Sequence, residues 1–405
     1  MPSQKISPSY YILFLVIPTG ISSGFIAVTL PWLLTAQKGF SVADTAIVVS
    51  TGLSANLWRF LWGPIADFTL SLRKWYFIAL IACVASLFLL CFMPYSSQHM
   101  GVAMGMVFLS QVASTLVMLP VGGFMAHCIH PSKKGMAGGW FQAGNLGGMG
   151  LGGGVGLWLA NHWGMLACAL VLSVTCILSG LIVLLMDEVP SKSDASISKQ
   201  FIVMGKDVLE MLKTPVIVFV ILLICMPLGT GAVSNLWSAV AVDWHVGADE
   251  VALVTGILSS IVSAIGCIAG GYVADKWGKW FAYLSSGLLC ALVTIAIALF
   301  PKNHHIFFVG VLGYSFSLGC CYAAFSALLL FAIGKKNAAT KYAMLSSLGN
   351  LPVVYMISLV GWAHDQYGNK PMLYVEALPA IFFVLICVPV IMWMKKKGWV
   401  QSTVS

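Results

Sequence analysis

The sequence predicts an all-α, polytopic membrane protein of twelve transmembrane helices arranged as two six-helix bundles. Three observations carry that prediction. Hydrophobic residues fill 60% of the 405 positions and charged ones only 8%. Apolar stretches of helix length recur between clusters of charge, and the second half of the chain repeats motifs of the first. No water-soluble domain of this size needs so apolar a composition to cover its core. Crossing about 30 Å of hydrocarbon takes roughly 20 apolar residues in a helix.

In order, the expected spans run from Tyr11 to Thr35, Ala43 to Ala66, Trp75 to Met93, Val102 to His127, Met136 to Trp163, and Met165 to Met186. After a polar interval come Pro215 to Val242, Val251 to Ala274, Trp280 to Phe300, Ile306 to Ile333, Ala343 to Trp362, and Met372 to Met394. The first stretch lacks a small-residue cleavage signature, so it reads as a retained span and not as a signal peptide. The 11 cysteines lie almost wholly in apolar stretches, where cysteine behaves as a small hydrophobe. No disulfide, metal site or cofactor is expected, because no CxxC or HxxxH spacing occurs.

The net charge of +8 would suit a nucleic-acid partner if it formed a patch, but the basic residues sit in alternate loops. One set holds Lys5, Arg73, Lys74, Lys133, Lys134, Lys192, Lys199, Lys206 and Lys213, then Lys276, Lys279, Lys335, Lys336, Lys341 and Lys395 to Lys397. The opposite set holds only Lys38, Lys302 and Lys370. By the positive-inside rule both termini are cytoplasmic. A nucleic-acid partner is therefore not expected; the lipid bilayer is.

The stretch "GGYVADKWGK" closes the eighth span with Gly271-x-x-x-Asp275-Lys276-x-Gly278-Lys279. Gly63-x-x-x-Asp67 followed by Arg73 and Lys74 closes the second, and the two aspartates lie about half the chain apart. "HPSKKGMAGG" entering the fifth span and "GKKNAATKYA" entering the eleventh form a second pair. Six spans plus six, with matching loops, make a parallel repeat of the kind secondary transporters use. The expected organisation is residues 1–187 and 214–405 as the bundles, joined by a linker at 188–213. In that linker Ile197, Phe201, Met204, Val208 and Met211 recur at helical spacing, as in a helix lying along a membrane surface.

On these motifs the chain resembles the major facilitator superfamily across its whole length. The resemblance implies alternating access and assigns a gating role to Gly63, Asp67, Gly271, Asp275, Lys276 and Lys279. Asp67 would meet the start of the eleventh span and Asp275 the start of the fifth. The superfamily's central cavity is lined largely by the first, fourth, seventh and tenth spans, which points to Ser23, Gln111, Asn235 and Tyr314 as solute contacts. Within the superfamily, residues 23–67, ending in Arg59-Phe-Leu-Trp-x-Pro-x-x-Asp67, and "GGVGLWLANHWG" at 153–164 are similar to a family of muropeptide permeases, acetyl-coenzyme A transporters and siderophore importers. Those permeases resemble one another in carrying acidic residues in the fourth span, and here "FLSQVASTLVMLPVGG" has none.

Other features are read from the residues themselves. "GNLGGMGLGGGVG" in the fifth span contains a Gly-x-G-x-x-Gly pattern, but a dinucleotide site needs a preceding strand and a helix start in water. Gly144, Gly148, Gly152 and Gly156 instead repeat every four residues, which makes a groove for another helix backbone. Arg59, roughly 12 Å deeper than Asp67 along a helix, either snorkels to the surface or holds an anionic group of the solute. Asn56, one turn further in, shares its face. Acidic residues are scarce, so the candidates for proton coupling are few: Glu376 inside the twelfth span, Asp243 at an outer helix end, and His127 near the inner end of the fourth.

The expected function is a secondary transporter, not an enzyme. It imports a sizeable polar or amphiphilic solute, muropeptide-like or siderophore-like, with proton symport one option. It is expected to be a monomer in the cell inner membrane. An exporter of drugs or metabolites is the alternative, although the Gly-Pro-x-x-Gly-Gly pattern of such antiporters is absent. A lipid enzyme is remote, since no cluster of His, Asp and Glu marks one surface.

Overall fold

The structure is a computed structural model that describes residues 7–62, 70–95, 99–130, 134–188, 202, 205–206, 209, 212–333 and 338–398. Among the described residues there is no strand, and nine helices are long and apolar enough to cross a membrane. They are Tyr11–Gln37, Leu72–Phe92, Met100–Met125, Gly164–Leu185, Ala248–Trp277, Lys279–Leu299, His304–Ala332, Ala343–Tyr367 and Asn369–Lys396. The other three expected spans are also helical. The second appears as Val42–Leu57, the fifth as Lys134–Gly150 continued through Leu151–Val155 and Gly156–His162, and the seventh begins at Pro215–Cys225. The fifth is long enough to span, and its glycines lower its hydropathy.

The exposed side chains support a lipid-facing exterior. Ile81, Leu178, Ile268 and Val309 are each more than 60% exposed, which a bilayer tolerates and water penalises. Trp58, Trp163, Trp277, Trp362 and Trp393 are also exposed, as interfacial tryptophans are.

The chain forms two compact units: residues 1–40, 51–201 and 247–260, and residues 41–50, 202–246 and 261–405. The short exchanged segments follow from packing inside each unit. In the first, the start of the eighth span meets the fifth, where Gly154 and Gly256 come together so closely that a Cβ on either would strike the other's backbone or its neighbours. In the second, the start of the second span meets the eleventh: a Cβ at Gly361 would run into Ala46 and lie 3.1 Å from the Val42 carbonyl oxygen.

The glycine groove of the fifth span is occupied by the backbone of the first. A Cβ at Gly144, Gly148 or Gly152 would collide with Leu13, Ile17 and Ile21; at Gly148 it would lie 2.6 Å from the Ile17 carbonyl oxygen and 2.8 Å from the Gly20 Cα. Both helices wind into π-helical turns at this contact, Phe25–Thr29 and Leu151–Val155. The Thr29 hydroxyl donates to the carbonyls of Gly152 and Gly153 at 2.9 and 3.0 Å. The hydroxyl thus ties the first span to the fifth at the widened turns.

The seventh span differs from the continuous helix expected over Pro215 to Val242. It stops at Cys225 and resumes as short turns at Val233–Asn235, Trp237–Val240 and Ala241–Trp244. Gly229 and Gly231, with φ of +61° and +72°, carry the chain through the break. Positive φ at these two positions is what glycine permits and a branched residue would resist.

Among the motif glycines, Gly271 faces open space. Its neighbour Gly270 makes the close approach, where a Cβ would lie 2.5 Å from the Cys320 carbonyl oxygen. Gly266 and Gly319 extend the same contact between the eighth and tenth spans. Gly63 and Asp67 lie outside the described residues, as do the apolar positions of the expected linker helix, Ile197, Phe201, Met204, Val208 and Met211.

Candidate functional site

In the first unit the second span is interrupted by a 3-10 turn, Ala55–Leu57, and helix resumes at Arg59. This break lies beside a cavity of about 190 Å3. Of the six residues expected to contact solute, Ser23, Asn56, Arg59 and Gln111 line that cavity together. Thr19, Ser114, Thr115 and Asn145 complete its polar wall, and Met118 and Met149 supply apolar surface. Among these lining residues none is acidic, and Arg59 is the one that carries a charge.

The wall is held in place by bonds between spans. Gln111 is buried and its Nε2 donates to the Ser22 hydroxyl at 3.0 Å. Thr19 and Ser114 each donate to the other's carbonyl oxygen, at 3.3 and 3.4 Å. Arg59 Nη1 lies 3.7 Å from the Met118 sulfur, on the apolar side of the cavity. The sequence signal for the additional residues was present: Thr19, Ser22 and Ser23 cluster on the first span, and Gln111, Ser114 and Thr115 lie three and four apart on the fourth.

Asn235 and Tyr314 belong to the second unit. Asn235 donates from Nδ2 to the Gly231 carbonyl at 3.0 Å, one turn back. Tyr314 is fully buried and its hydroxyl donates to Glu376 at 2.7 Å.

Glu376 is the centre of a second constellation. Its Oε1 accepts from Tyr314, from the Thr230 hydroxyl at 2.9 Å and from the Ala232 N–H at 3.0 Å. Its Oε2 accepts from the Val233 N–H at 3.1 Å. The break in the seventh span frees these two backbone donors, and a carboxylate is the acceptor that satisfies both. Oε1 takes three donors and Oε2 one.

The remaining expected residues sit elsewhere. Asp243 ends the seventh span, with Oδ2 2.7 Å from His364 Nε2 and 2.6 Å from Asn369 Nδ2. The hydrogen bond from His364 holds the Asp243 carboxyl below its ordinary value, against the opposing effect of burial. His127 is exposed and its Nδ1 donates to the Gly123 carbonyl at 2.9 Å. Asp275 and Lys276 are exposed in the last turn of Ser259–Trp277, where Lys276 Nζ lies 5.5 Å from the ring centres of Tyr272 and Trp277. Lys279 Nζ stands 3.9 Å over the Phe331 ring.

The sequence profile of the Major Facilitator Superfamily matches residues 12–354. The chain belongs to that superfamily. It is similar to the anhydromuropeptide permease of Escherichia coli (strain K12), 23% identical over 360 residues that cover 82% of this chain and 70% of the permease. Solved structures share its fold. The D-xylose-proton symporter superposes with a TM-score of 0.70 at 14% identity, covering 93% of this chain and 95% of the symporter. The nucleoside transporter NupG gives 0.70 at 12% identity, covering 95% and 98%. A superfamily member of this fold is a multi-pass membrane transporter and not an enzyme.

Proposed function

We propose that the protein imports a sizeable polar or amphiphilic solute with an anionic group, muropeptide-like before siderophore-like, by alternating access of residues 1–187 and 214–405. The observation that carries the reading is Arg59 among amides and hydroxyls in one cavity of a membrane domain. A charged side chain at membrane depth is expensive, and where it lines a cavity inside a helix bundle it marks a solute pathway. A peptide–sugar fragment carries carboxylates and many hydroxyls, which suit a guanidinium beside Asn56, Gln111, Ser23 and Thr115. A cavity of about 190 Å3 accommodates the anionic end of such a solute and not the whole of it. The name of the permease relative supports the muropeptide class.

Glu376 is the proton site in this reading, because among the described residues of the second unit it is the buried carboxylate and its four donors come from the broken seventh span and from the tenth. Protonation would weaken its hold on the break and so tie proton entry to movement of the seventh span. The protein acts as a monomer in the inner membrane with both termini cytoplasmic, and Asp67 and Asp275 bias its cytoplasmic gate.

The test is uptake into proteoliposomes of labelled muropeptides and of ferric siderophores, each with and without an inward proton gradient. Gradient-stimulated accumulation of muropeptide is expected. Absence of entry under every gradient, with efflux from preloaded vesicles, would replace import by export.

A further inference from the structure

Within the second unit, four helix ends are linked through His364 and the two carboxylates beside it, Asp243 and Asp365. His364 and Asp365 lie in the last turn of the eleventh span, Asp243 ends the seventh, Asn369 begins the twelfth, and Val42 and Ala43 begin the second. His364 Nε2 is 2.7 Å from Asp243 Oδ2, and its Nδ1 is 3.3 Å from Asp365 Oδ1. Asp365 in turn accepts the N–H groups of Val42 and Ala43, at 3.1 and 3.0 Å, through its two oxygens. The start of the second span is therefore capped by the eleventh, 323 residues away in sequence. Its own Ser41 caps only the next donor, Asp44 N–H, at 3.0 Å.

The chemistry of the ring decides what this arrangement needs. Neutral imidazole has one N–H, and its other nitrogen presents a lone pair. Both nitrogens of His364 face carboxylate oxygens, so both contacts are attractive only in the imidazolium. Removing the proton turns one contact into lone pair against lone pair and leaves two carboxylates with no charge between them. The other charged group acting on Asp243 is Lys302, and the Ser41 hydroxyl acts on Asp365. Neither can replace a proton on the ring. The His364 side chain is 14% exposed, open enough to exchange protons and buried enough to limit screening.

We propose that His364 is a proton-binding latch which, when protonated, ties the start of the second span to the end of the eleventh and, when neutral, releases it. By the distribution of lysines this end faces away from the cytoplasm, so the proton comes from outside. The contact around Gly361 brings these spans into direct contact, and the Ser50 and Ser358 hydroxyls add a bond at 3.0 Å along the same seam. An outer seam closed by external protons and opened by their loss deepens the alternating-access reading and rests on it.

The test reads the seam without solute. Spin labels placed at the exposed positions Ile47 and Tyr367 of the full chain in lipid nanodiscs report the separation of the two spans by pulsed electron resonance between about pH 5 and 8, the range in which histidine titrates. In the otherwise unchanged chain the short-distance population should fall roughly tenfold or more relative to the long one as pH rises, as loss of a charge-assisted bond implies. His364→Gln should abolish that transition, and His364→Lys should hold one pH-independent distribution. A transition that persists in His364→Gln, or a distribution that does not change with pH in the unsubstituted protein, would overturn the latch. Failure of transport alone would not touch it, because the distances are read with no solute present.

Discussion

Replacing Glu376 by glutamine tests the second constellation. Glutamine keeps the length of the side chain and one acceptor oxygen. In the orientation that loses least, that oxygen stays with Tyr314, Thr230 and Ala232 N–H, and the new NH2 group faces the Val233 N–H. One buried backbone donor then meets a donor, which costs about 1–3 kcal/mol, and the charge-assisted character of the other three bonds is lost. The reverse orientation strands three donors and is worse. The variant should therefore unfold at a lower temperature in detergent. It should also lose gradient-driven accumulation in proteoliposomes, since an amide takes up no proton, while solute exchange down its own gradient continues. Equal accumulation by Glu376→Gln and the unsubstituted protein would refute the assignment of Glu376 as the coupling site.

Three further outcomes follow from particular contacts. Gly148→Ala drives a Cβ into the Ile17 and Gly20 backbone and should destabilise by about 1–3 kcal/mol, while Gly147→Ala, with nothing within 4 Å, should be neutral or slightly stabilising in the same thermal assay. Equal effects would contradict the packing of the first span on the fifth. Asp275→Asn should slow uptake severalfold with folding and insertion intact, and an unchanged rate would remove the gating role proposed for the repeated motif. Because the Asp243 pKa is lowered, its contribution is present above the ordinary carboxylate range and is lost only as pH falls through the lowered value. Asp243→Asn should then weaken the outer seam at the acid end of pH 5 to 8, where His364 is protonated, and change little at the alkaline end; a midpoint near pH 4 in the unsubstituted protein would contradict His364 as the titrating group.

Much of the fold was legible because hydrocarbon imposes a simple rule: length, low charge and alternation of basic loops mark spans, whatever their partners. The groove of Gly144, Gly148 and Gly152 was legible for the same reason, since a stripe of small residues at spacing four has one use between helices. Periodicity could not decide between adjacent glycines, so Gly270, and not the motif's Gly271, turned out to make the close contact. The break in the seventh span had a local signal in Pro227, Gly229 and Gly231, but apolar composition on either side masked it. Arg59 and Asn56 were visible as polar residues on one face of the second span, and Ser23 and Gln111 were singled out because the resemblance to the superfamily says which spans line the cavity. The His364 cluster was not, because its partners Asp243 and Val42 lie 121 and 323 residues away and only the tertiary fold brings them together.

Uptake of a labelled, carboxylate-bearing muropeptide and of its neutral, amidated counterpart into proteoliposomes, by the unsubstituted protein and by Arg59→Gln, tests the central claim most directly. Arg59→Gln should weaken uptake of the anionic solute roughly tenfold or more, as loss of a charge-assisted bond implies, and leave the neutral one little changed. Equal loss for both solutes, or no entry of either into vesicles bearing the unsubstituted protein, would contradict the account.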